Sequence, residues 1–286
     1  MHKLCVTSET GRLRSVIIGY PDNFHQVPPA IINETQKQYY FGPDCPTRER
    51  IMAELDGFKQ VLVGHGVEVL QPEPLDDVPD QLMTRDIGVV IGDTFVVTQM
   101  ARESRRDEWL GLLPILDELN TQRIIKVPDE IVLEGGDVIV DNGRIFVGLS
   151  QRTGAEGAAY LAHRFPQFEV IPVPLKRLAD GENVLHLDCS FVPVGQRSAL
   201  IYADGLAEVP EAIADYDLIE VTRAEQALLA TNVLSLSPTQ VIARRCASRV
   251  NAELRQRGLE VIELPFADPP KTGGSFRCCS LPLWRD

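Results

Sequence analysis

Apolar and polar positions alternate along this chain in two rhythms. Short apolar runs bounded by turn residues read as strands, and stretches with apolar residues three and four apart read as helices. Residues 13–20, Leu-Arg-Ser-Val-Ile-Ile-Gly-Tyr, read as a buried strand ending near Gly19. Residues 21–46 carry Pro21, Pro28, Pro29, Pro43 and Pro46 and read as irregular. A loop of that length in a compact chain is usually functional or partly mobile. Thr47 reads as an N-cap, with Arg50 rather than a glutamate at the capping-box position. The helix it opens puts Met52, Leu55, Phe58, Val61 and Leu62 on one face and stops at Gly64 or Gly66, before a strand at 67–70.

The pattern then repeats. Residues 87–98 give two strands around the Gly92-Asp93 turn, followed by a helix at 106–119 and a strand at 124–127. Residues 138–147 give two strands around Asn142-Gly143, then a helix at 155–164 and a strand at 168–173. A fourth unit has strands at 190–194 and 199–202, a weak helix at 210–213 and a strand at 218–221. A fifth has strands at 233–236 and 241–243, a helix at 246–257 and a strand at 260–264. Five units of roughly 45 to 60 residues, the first less regular, point to radial repetition in which each unit buries its apolar face on its neighbours. An ordinary α/β sheet is the alternative, since no sequence identity links the units.

At 286 residues, with 44% hydrophobic and 24% charged positions, the chain has the composition of a soluble globular protein able to bury a substantial core. Its net charge of −13 argues against nucleic acid as a partner and suits attraction of a small cation into a cleft. The start, Met1-His2-Lys3-Leu4-Cys5, lacks the apolar core of a signal peptide, and no run is long enough to span a bilayer. A cytoplasmic protein with reduced thiols, without a membrane contact, is expected. The six cysteines form no C-x-x-C pair and match neither a zinc-site spacing nor a small disulfide scaffold.

Chemistry gathers where units begin or end. Thr84-Arg85-Asp86 precedes the second unit, Glu134-Gly135-Gly136-Asp137 opens the third, and His186-Leu187-Asp188 opens the fourth. The tail, from Gly273-Gly274 through Cys278-Cys279 to Asp286, follows the fifth. There, a glycine turn precedes two thiols and an apolar run that must be buried, which would fix a cysteine in place as a nucleophile requires. Each residue has a plainer alternative: a capping Asp86, a solvated Glu134, a core His186, two core cysteines. Together, a thiol, an imidazole and several carboxylates suit attack on a planar cation, whose N–H groups the carboxylates could hold through paired hydrogen bonds.

These motifs, in this order, resemble those of the guanidine-modifying enzymes, the superfamily of arginine deiminase, dimethylarginine dimethylaminohydrolase and the amidinotransferases. The resemblance covers nearly the whole chain. It implies a five-bladed pentein fold, an α/β propeller, with residues 1–286 as a single catalytic domain. It implies Cys278 as the nucleophile that forms a covalent amidino–thioether, and His186 as the acid that protonates the departing amine. Glu134 would support the guanidinium and His186, Asp86 and Asp188 would grip the guanidinium, and Asp137 would be closer to structural. Arg152, in Gly148-Leu149-Ser150-Gln151-Arg152-Thr153, and Arg105, in Ser104-Arg105-Arg106, resemble contacts to the substrate's carboxylate. For Arg105 and Arg106 the alternative is a pair of surface charges. Register with Gly273-Gly274 and with Ser280-Leu281-Pro282-Leu283 selects Cys278 over Cys279.

His-x-Asp at 186–188 resembles the arginine deiminases and amidinotransferases, and the tail Arg-Cys-x-Ser-x-Pro-Leu-x-Arg is closer to the arginine deiminases. The compact length and the Gly-x-Ser-x-Arg-Thr-x-Ala-Glu-Gly run at 148–157 are closer to the dimethylarginine hydrolases. The expected activity is hydrolysis of an unsubstituted, arginine-like guanidine, without a metal or an organic cofactor. Transfer of the amidino group to an amine, hydrolysis of dimethylarginine and non-catalytic binding are the alternatives. A homodimer is compatible with this reading.

Overall fold

In the computed structural model, which describes residues 2–24, 30–78, 81–119 and 121–286, each of the five units contains the same small sheet. Strand β1 (Leu13–Ile18) is followed by helices α1 (Glu34–Tyr39) and α2 (Arg48–Gly64), and β2 (Glu68–Leu70) then pairs with it in parallel. Strands β3 (Gly88–Ile91) and β4 (Thr94–Val97) form an antiparallel hairpin. After α3 (Leu113–Asp117), β5 (Ile124–Lys126) joins β4 in parallel. The same order recurs in β6 (Val138–Asp141), β7 (Arg144–Leu149), α4 (Ala155–Arg164) and β8 (Glu169–Pro174). It recurs again in β9 (Phe191–Val194), β10 (Ser198–Ile201), α5 (Glu211–Ala214) and β11 (Asp217–Glu220). Past α6 (Arg223–Gln226), the last run is β12 (Leu234–Ser237), β13 (Gln240–Arg244), α7 (Ser248–Gln256) and β14 (Glu260–Leu264).

Strand β15 (Ser280–Arg285) then returns to β1, antiparallel, with Leu13 opposite Arg285 and Ile18 opposite Ser280. This explains why the first unit reads as irregular. Its antiparallel strand is the C-terminal tail, more than two hundred and fifty residues away in sequence. With β15 in place, all five sheets have three strands, an antiparallel pair and a parallel pair. The connections follow from geometry: antiparallel strands close with a tight turn, whereas parallel neighbours need a crossover, here mostly helical. At the Asn142-Gly143 turn both residues have positive φ (51° and 78°), as a two-residue hairpin requires.

Strands β3, β6 and β9 are buried at every position, which is why they read as apolar runs and not as alternating patterns. Four apolar clusters join the sheets. Ile17, Leu281 and Leu283 pack with Ile87, Val90 and Phe95. Val89, Ile91 and Val96 pack with Val138, Val140 and Ile145. Ile139 and Phe146 share a cluster with Phe191, Val192, Val241 and Ala243. Leu13, Val16 and Ile18 pack with Leu234, Leu236 and Ile242, so the last sheet also meets the first.

Three elements differ from expectation. Only Leu113–Asp117 of the 106–119 segment is α-helical, preceded by 3-10 turns at Glu103–Arg105 and Glu108–Leu112. Pro114 has no N–H to continue a helix from the preceding turn, and the Gly111 carbonyl accepts from Glu73 N instead. Within α2 the buried face is Ile51, Leu55, Phe58 and Leu62, so Ile51 takes the place assigned to Met52. The Thr47 cap is present, its hydroxyl accepting from Arg50 N at 3.4 Å. The proline-rich stretch contains the short helix α1, capped by Asn33; Pro28 and Pro29 lie outside the described residues. No helix of the described residues is long and apolar enough to cross a membrane.

Candidate active site

Backbone bonds first bring the dispersed motifs together. Arg85 N donates to the Cys278 carbonyl at 3.0 Å, and Gly135 N donates to the Asp86 carbonyl at 2.9 Å. The Asp137 carboxylate accepts from Leu187 N at 2.9 Å and from the Ser150 hydroxyl at 2.6 Å, which fastens the His186 segment to the Glu134 segment. Gly136 leaves room for this closeness: a Cβ there would stand 2.6 Å from His186 Nδ1 and 2.7 Å from Asp86 Oδ1. Phe276 sets the tail, with its ring 4.2 Å from Phe266 and 5.0 Å from Phe58 of α2, centroid to centroid.

His186 lies between two carboxylates. Its Nε2 is 2.7 Å from Glu134 Oε2, and its Nδ1 is 3.5 Å from Asp86 Oδ1. Burial opposes a charge on the ring, but Asp86, Asp137 and Glu134 outweigh it and push His186 up to about 10. Burial likewise opposes ionisation of Glu134, yet the His186 ring and the Arg152 guanidinium hold it down at about 2. Burial pushes Asp137 up to about 7 against its hydrogen bonds. At neutral pH the arrangement is therefore an imidazolium with a proton to give. Asp86, Glu134 and His186 also offer ligand atoms within 4.8 Å of one another. The 2.7 Å contact between His186 and Glu134 is a direct hydrogen bond with no space for an ion between them, so the geometry suits a proton there.

Cys278 stands beside these groups. Its sulfur is 3.4 Å from Asp188 Oδ2 and accepts from Asn232 Nδ2 at 3.1 Å. The neighbouring Cys189 thiol, burial and the Asp188 charge push the Cys278 thiol well above its ordinary value. Cys279 contacts the Met83 sulfur at 3.8 Å within the apolar cluster of the first and last sheets. All six cysteines are unbridged.

Asp188 does not present free oxygens. Arg277 donates to its Oδ2 at 2.9 Å, and the Cys189 thiol donates to its Oδ1 at 3.6 Å. The two expected carboxylate-binding arginines also face inward. Arg105 is buried against Asp86 (2.7 Å), Glu108 (2.7 and 2.8 Å) and the Met83 carbonyl (3.1 Å), while Arg106 is exposed. The surface-charge alternative thus holds for Arg106 and not for Arg105. Arg152 reaches Glu134 Oε1 at 3.4 Å and bonds the Ile32 carbonyl.

Two atoms are left over. Asp86 Oδ1 and His186 Nδ1 are buried without a hydrogen-bond partner. They lie in a cavity of ≈ 10 Å³ whose wall also holds Cys278, Ile32, Met83 and Leu185.

Sequence reading overlooked Asn232 and Glu9. Asn232 Oδ1 accepts from both Ser275 N and Cys278 N at 3.1 Å, so this one side chain fixes the Cys278 backbone as well as its sulfur. Thr231-Asn232 precedes the first strand of the fifth unit, the place that Asp86, Glu134 and His186 hold in theirs, and that register was the available signal. Glu9 pairs with Arg277 at 2.9 and 3.2 Å and carried no local signal.

Residues 20–285 match the family model described as N,N dimethylarginine dimethylhydrolase, eukaryotic. The chain belongs to this family. It is thereby placed in the pentein superfamily of guanidine-modifying enzymes, as an enzyme acting on guanidino C–N bonds. Among members and relatives, an uncharacterized protein, YkgA, of Bacillus subtilis is 36% identical over 99% of this chain and 96% of its own length. The N(G),N(G)-dimethylarginine dimethylaminohydrolase of Streptomyces coelicolor is 30% identical over 50% of this chain and 59% of its own length. An amidinotransferase of Microseira wollei has the same fold, with a TM-score of 0.84 at 18% identity, over 99% of this chain and 97% of its own. The α/β architecture of five three-stranded sheets is thus that of the dimethylarginine hydrolase family and its superfamily.

Proposed function

We propose that this protein hydrolyses the guanidinium group of an arginine-like compound to a ureido product and ammonia, through a covalent intermediate on Cys278. The observation that carries this reading is the pair Asp86 Oδ1 and His186 Nδ1, 3.5 Å apart and neither hydrogen-bonded, beside the Cys278 thiol in one small cavity. A planar cation rich in N–H donors would satisfy Asp86, and it would bring the positive charge that a thiol among carboxylates lacks.

The steps follow from the protonation states. Entry of the cation lowers the cost of ionising Cys278, whose proton leaves to water. The thiolate adds to the guanidinium carbon, the bond to the terminal nitrogen breaks, and His186 gives its proton to the departing ammonia. Neutral His186 then takes a proton from a water that attacks the same carbon; the carbonyl forms as the C–S bond breaks, and the hydroxyl proton returns to the departing sulfur, restoring the thiol. In this reading Glu134 orients and stabilises the imidazolium, Asn232 holds the sulfur, and Asp188, itself held by Arg277, places a charge beside it. The five sheets would be the blades of one ring, closed by β15 on β1, with residues 1–286 a single catalytic domain. A guanidino group is larger than the present cavity, so Ile32 and Gln36 would have to withdraw to admit it.

A second reading, hydrolysis of a dimethylated guanidine, has a specific support. Asp188 is already engaged, so it would not be left unpaired by methyl groups, and Ile32, Met83 and Leu185 offer them an apolar wall. The test is to incubate the protein with arginine or with asymmetric dimethylarginine, each with and without glycine, and identify the products. Citrulline and ammonia from arginine support the first reading. Preferential release of dimethylamine supports the second, and product that forms only with the amine present would indicate amidino transfer.

A further inference from the structure

A second small cavity, of ≈ 10 Å³, is walled by valines of β3 and β6, by β15, and by three charged side chains, Glu9, Arg85 and Arg285. It shares no residue with the cavity at Cys278. Arg277 links the two regions, since it holds Asp188 beside Cys278 and Glu9 beside this second cavity. Charges among apolar walls are costly unless each is answered. Glu9 and Arg277 answer one another through bonds of 2.9 and 3.2 Å.

Arg85 and Arg285 are answered less fully. Arg85 Nη2 stands 3.9 Å from the same Glu9 oxygen that Arg277 holds at 2.9 Å, and it has no hydrogen bond. Arg285 donates through Nη1 to the Gly11 and Ser235 carbonyls at 2.7 and 2.9 Å, and it makes no ion pair among the described residues. Its Nε and Nη2 are buried without a partner. Asp141, the other carboxylate acting on Arg285, has its oxygens taken by Ser8, Glu9 N, Asn142 and Tyr216. Burial and the Arg277 charge hold Arg85 down at about 9 and Arg285 down at about 10, as expected of cations short of negative charge.

We propose that Arg85 and Arg285 bind a single halide ion, chloride under ordinary conditions, in this cavity. Guanidinium nitrogens donate and never accept, so a water there would satisfy N–H groups but leave the charge as it is. An anion answers both. The volume admits one small spherical particle and no polyatomic oxyanion. The site is independent of the chemistry at Cys278. It lies where the two ends of the chain meet: Arg285 also donates its backbone N–H to the Cys5 carbonyl at 2.7 Å, and Glu9 precedes the Gly11 carbonyl that anchors Arg285. The ion would therefore hold β15 and the segment before β1 together, and the folded state would depend on halide.

The experiment has two arms, both on the full chain. Crystals grown in sodium bromide are measured at the bromine absorption edge. An anomalous peak in contact with Arg85 Nη2 and with Arg285 Nε or Nη2 supports the site, and a water there without anomalous signal overturns it. Urea unfolding is then followed in sodium chloride and in sodium gluconate of equal ionic strength, since gluconate is too large for the cavity. Relative to gluconate, about 100 mM chloride should lower the unfolding equilibrium constant at least roughly tenfold. Arg285→Gln should remove the difference between the salts. Glu9→Gln, which takes away the competing carboxylate, should lower the chloride concentration that halves the unfolding constant, and it keeps the test decisive where Arg285→Gln does not fold. Equal responses of the parent protein to both salts, or an unchanged chloride response in Glu9→Gln, overturn the proposal.

Discussion

Asn232 holds Cys278 from two sides: its Nδ2 donates to the sulfur at 3.1 Å and its Oδ1 accepts the Cys278 backbone N–H at 3.1 Å. No rotation of the cysteine preserves both bonds. The amide therefore sets where the thiol points, and its donor would stabilise a thiolate as the charge develops.

Asn232→Ala should reduce kcat by about ten- to a hundred-fold, the loss of one hydrogen bond to a developing charge in a closed site. Asn232→Asp should be worse, because it places a carboxylate against the sulfur. Steady-state kinetics on the substrate identified above would check the order. If Asp is tolerated better than Ala, the amide is not stabilising the sulfur.

Cys278→Ser should abolish turnover, while Cys279→Ser should retain most of it. Cys279 lies in an apolar cluster against Met83, so a hydroxyl there should cost stability, about 1–3 kcal/mol in denaturant unfolding. Turnover lost through Cys279 and kept through Cys278 would mean that the nucleophile has been placed one residue too early.

The raised Cys278 thiol predicts slow alkylation by iodoacetamide at pH 7, with a rate that keeps climbing through pH 9. A plateau at neutral pH would show that a thiolate exists before any cation arrives.

His186 links stability to pH. Its folded value, about 10, lies above the ordinary 6.5, so the stabilisation from its ion pairs is fully present below pH 6.5 and is lost as pH rises through 10. Glu134 works in the opposite direction. Held at about 2 against an ordinary 4.5, it stabilises above pH 4.5, and that contribution is lost as pH falls through 2. Urea unfolding between pH 6.5 and 10 should show declining stability in the parent protein and a flatter profile in His186→Gln. Identical slopes would rule out a buried imidazolium.

Arg277 neutralises Glu9 and Asp188 in a fully buried setting. Arg277→Met should cost about 3–5 kcal/mol by stranding Asp188 and leaving Glu9 to the longer contact with Arg85 at 3.9 Å. Adding Glu9→Gln should restore part of that loss. A cost below about 1 kcal/mol would mean that the pair is not compensated as the geometry indicates.

What the sequence determined by itself is what short-range chemistry can specify. The Asn142-Gly143 hairpin, the Thr47 cap and the strand–strand–helix–strand rhythm each depend on neighbours a few residues apart, and the structure contains them. The motif order also led to Asp86, His186 and Cys278, which line one cavity, and to Glu134, which is hydrogen-bonded to His186 behind it. Asn232 sat at the equivalent place in the fifth unit, but a lone asparagine before a strand also reads as a turn residue. The helix expected at 106–119 failed because Pro114 interrupts a hydrogen-bond ladder that the apolar spacing alone cannot report. Only the tertiary structure decided which charges are already spent. Arg277 meets Glu9 across 268 residues, Arg105 turns inward onto Asp86, and β15 completes a sheet begun at Leu13. Such pairings follow from burial, which makes an unpaired charge or strand edge costly wherever its partner lies in the sequence, and burial is a property of the folded chain.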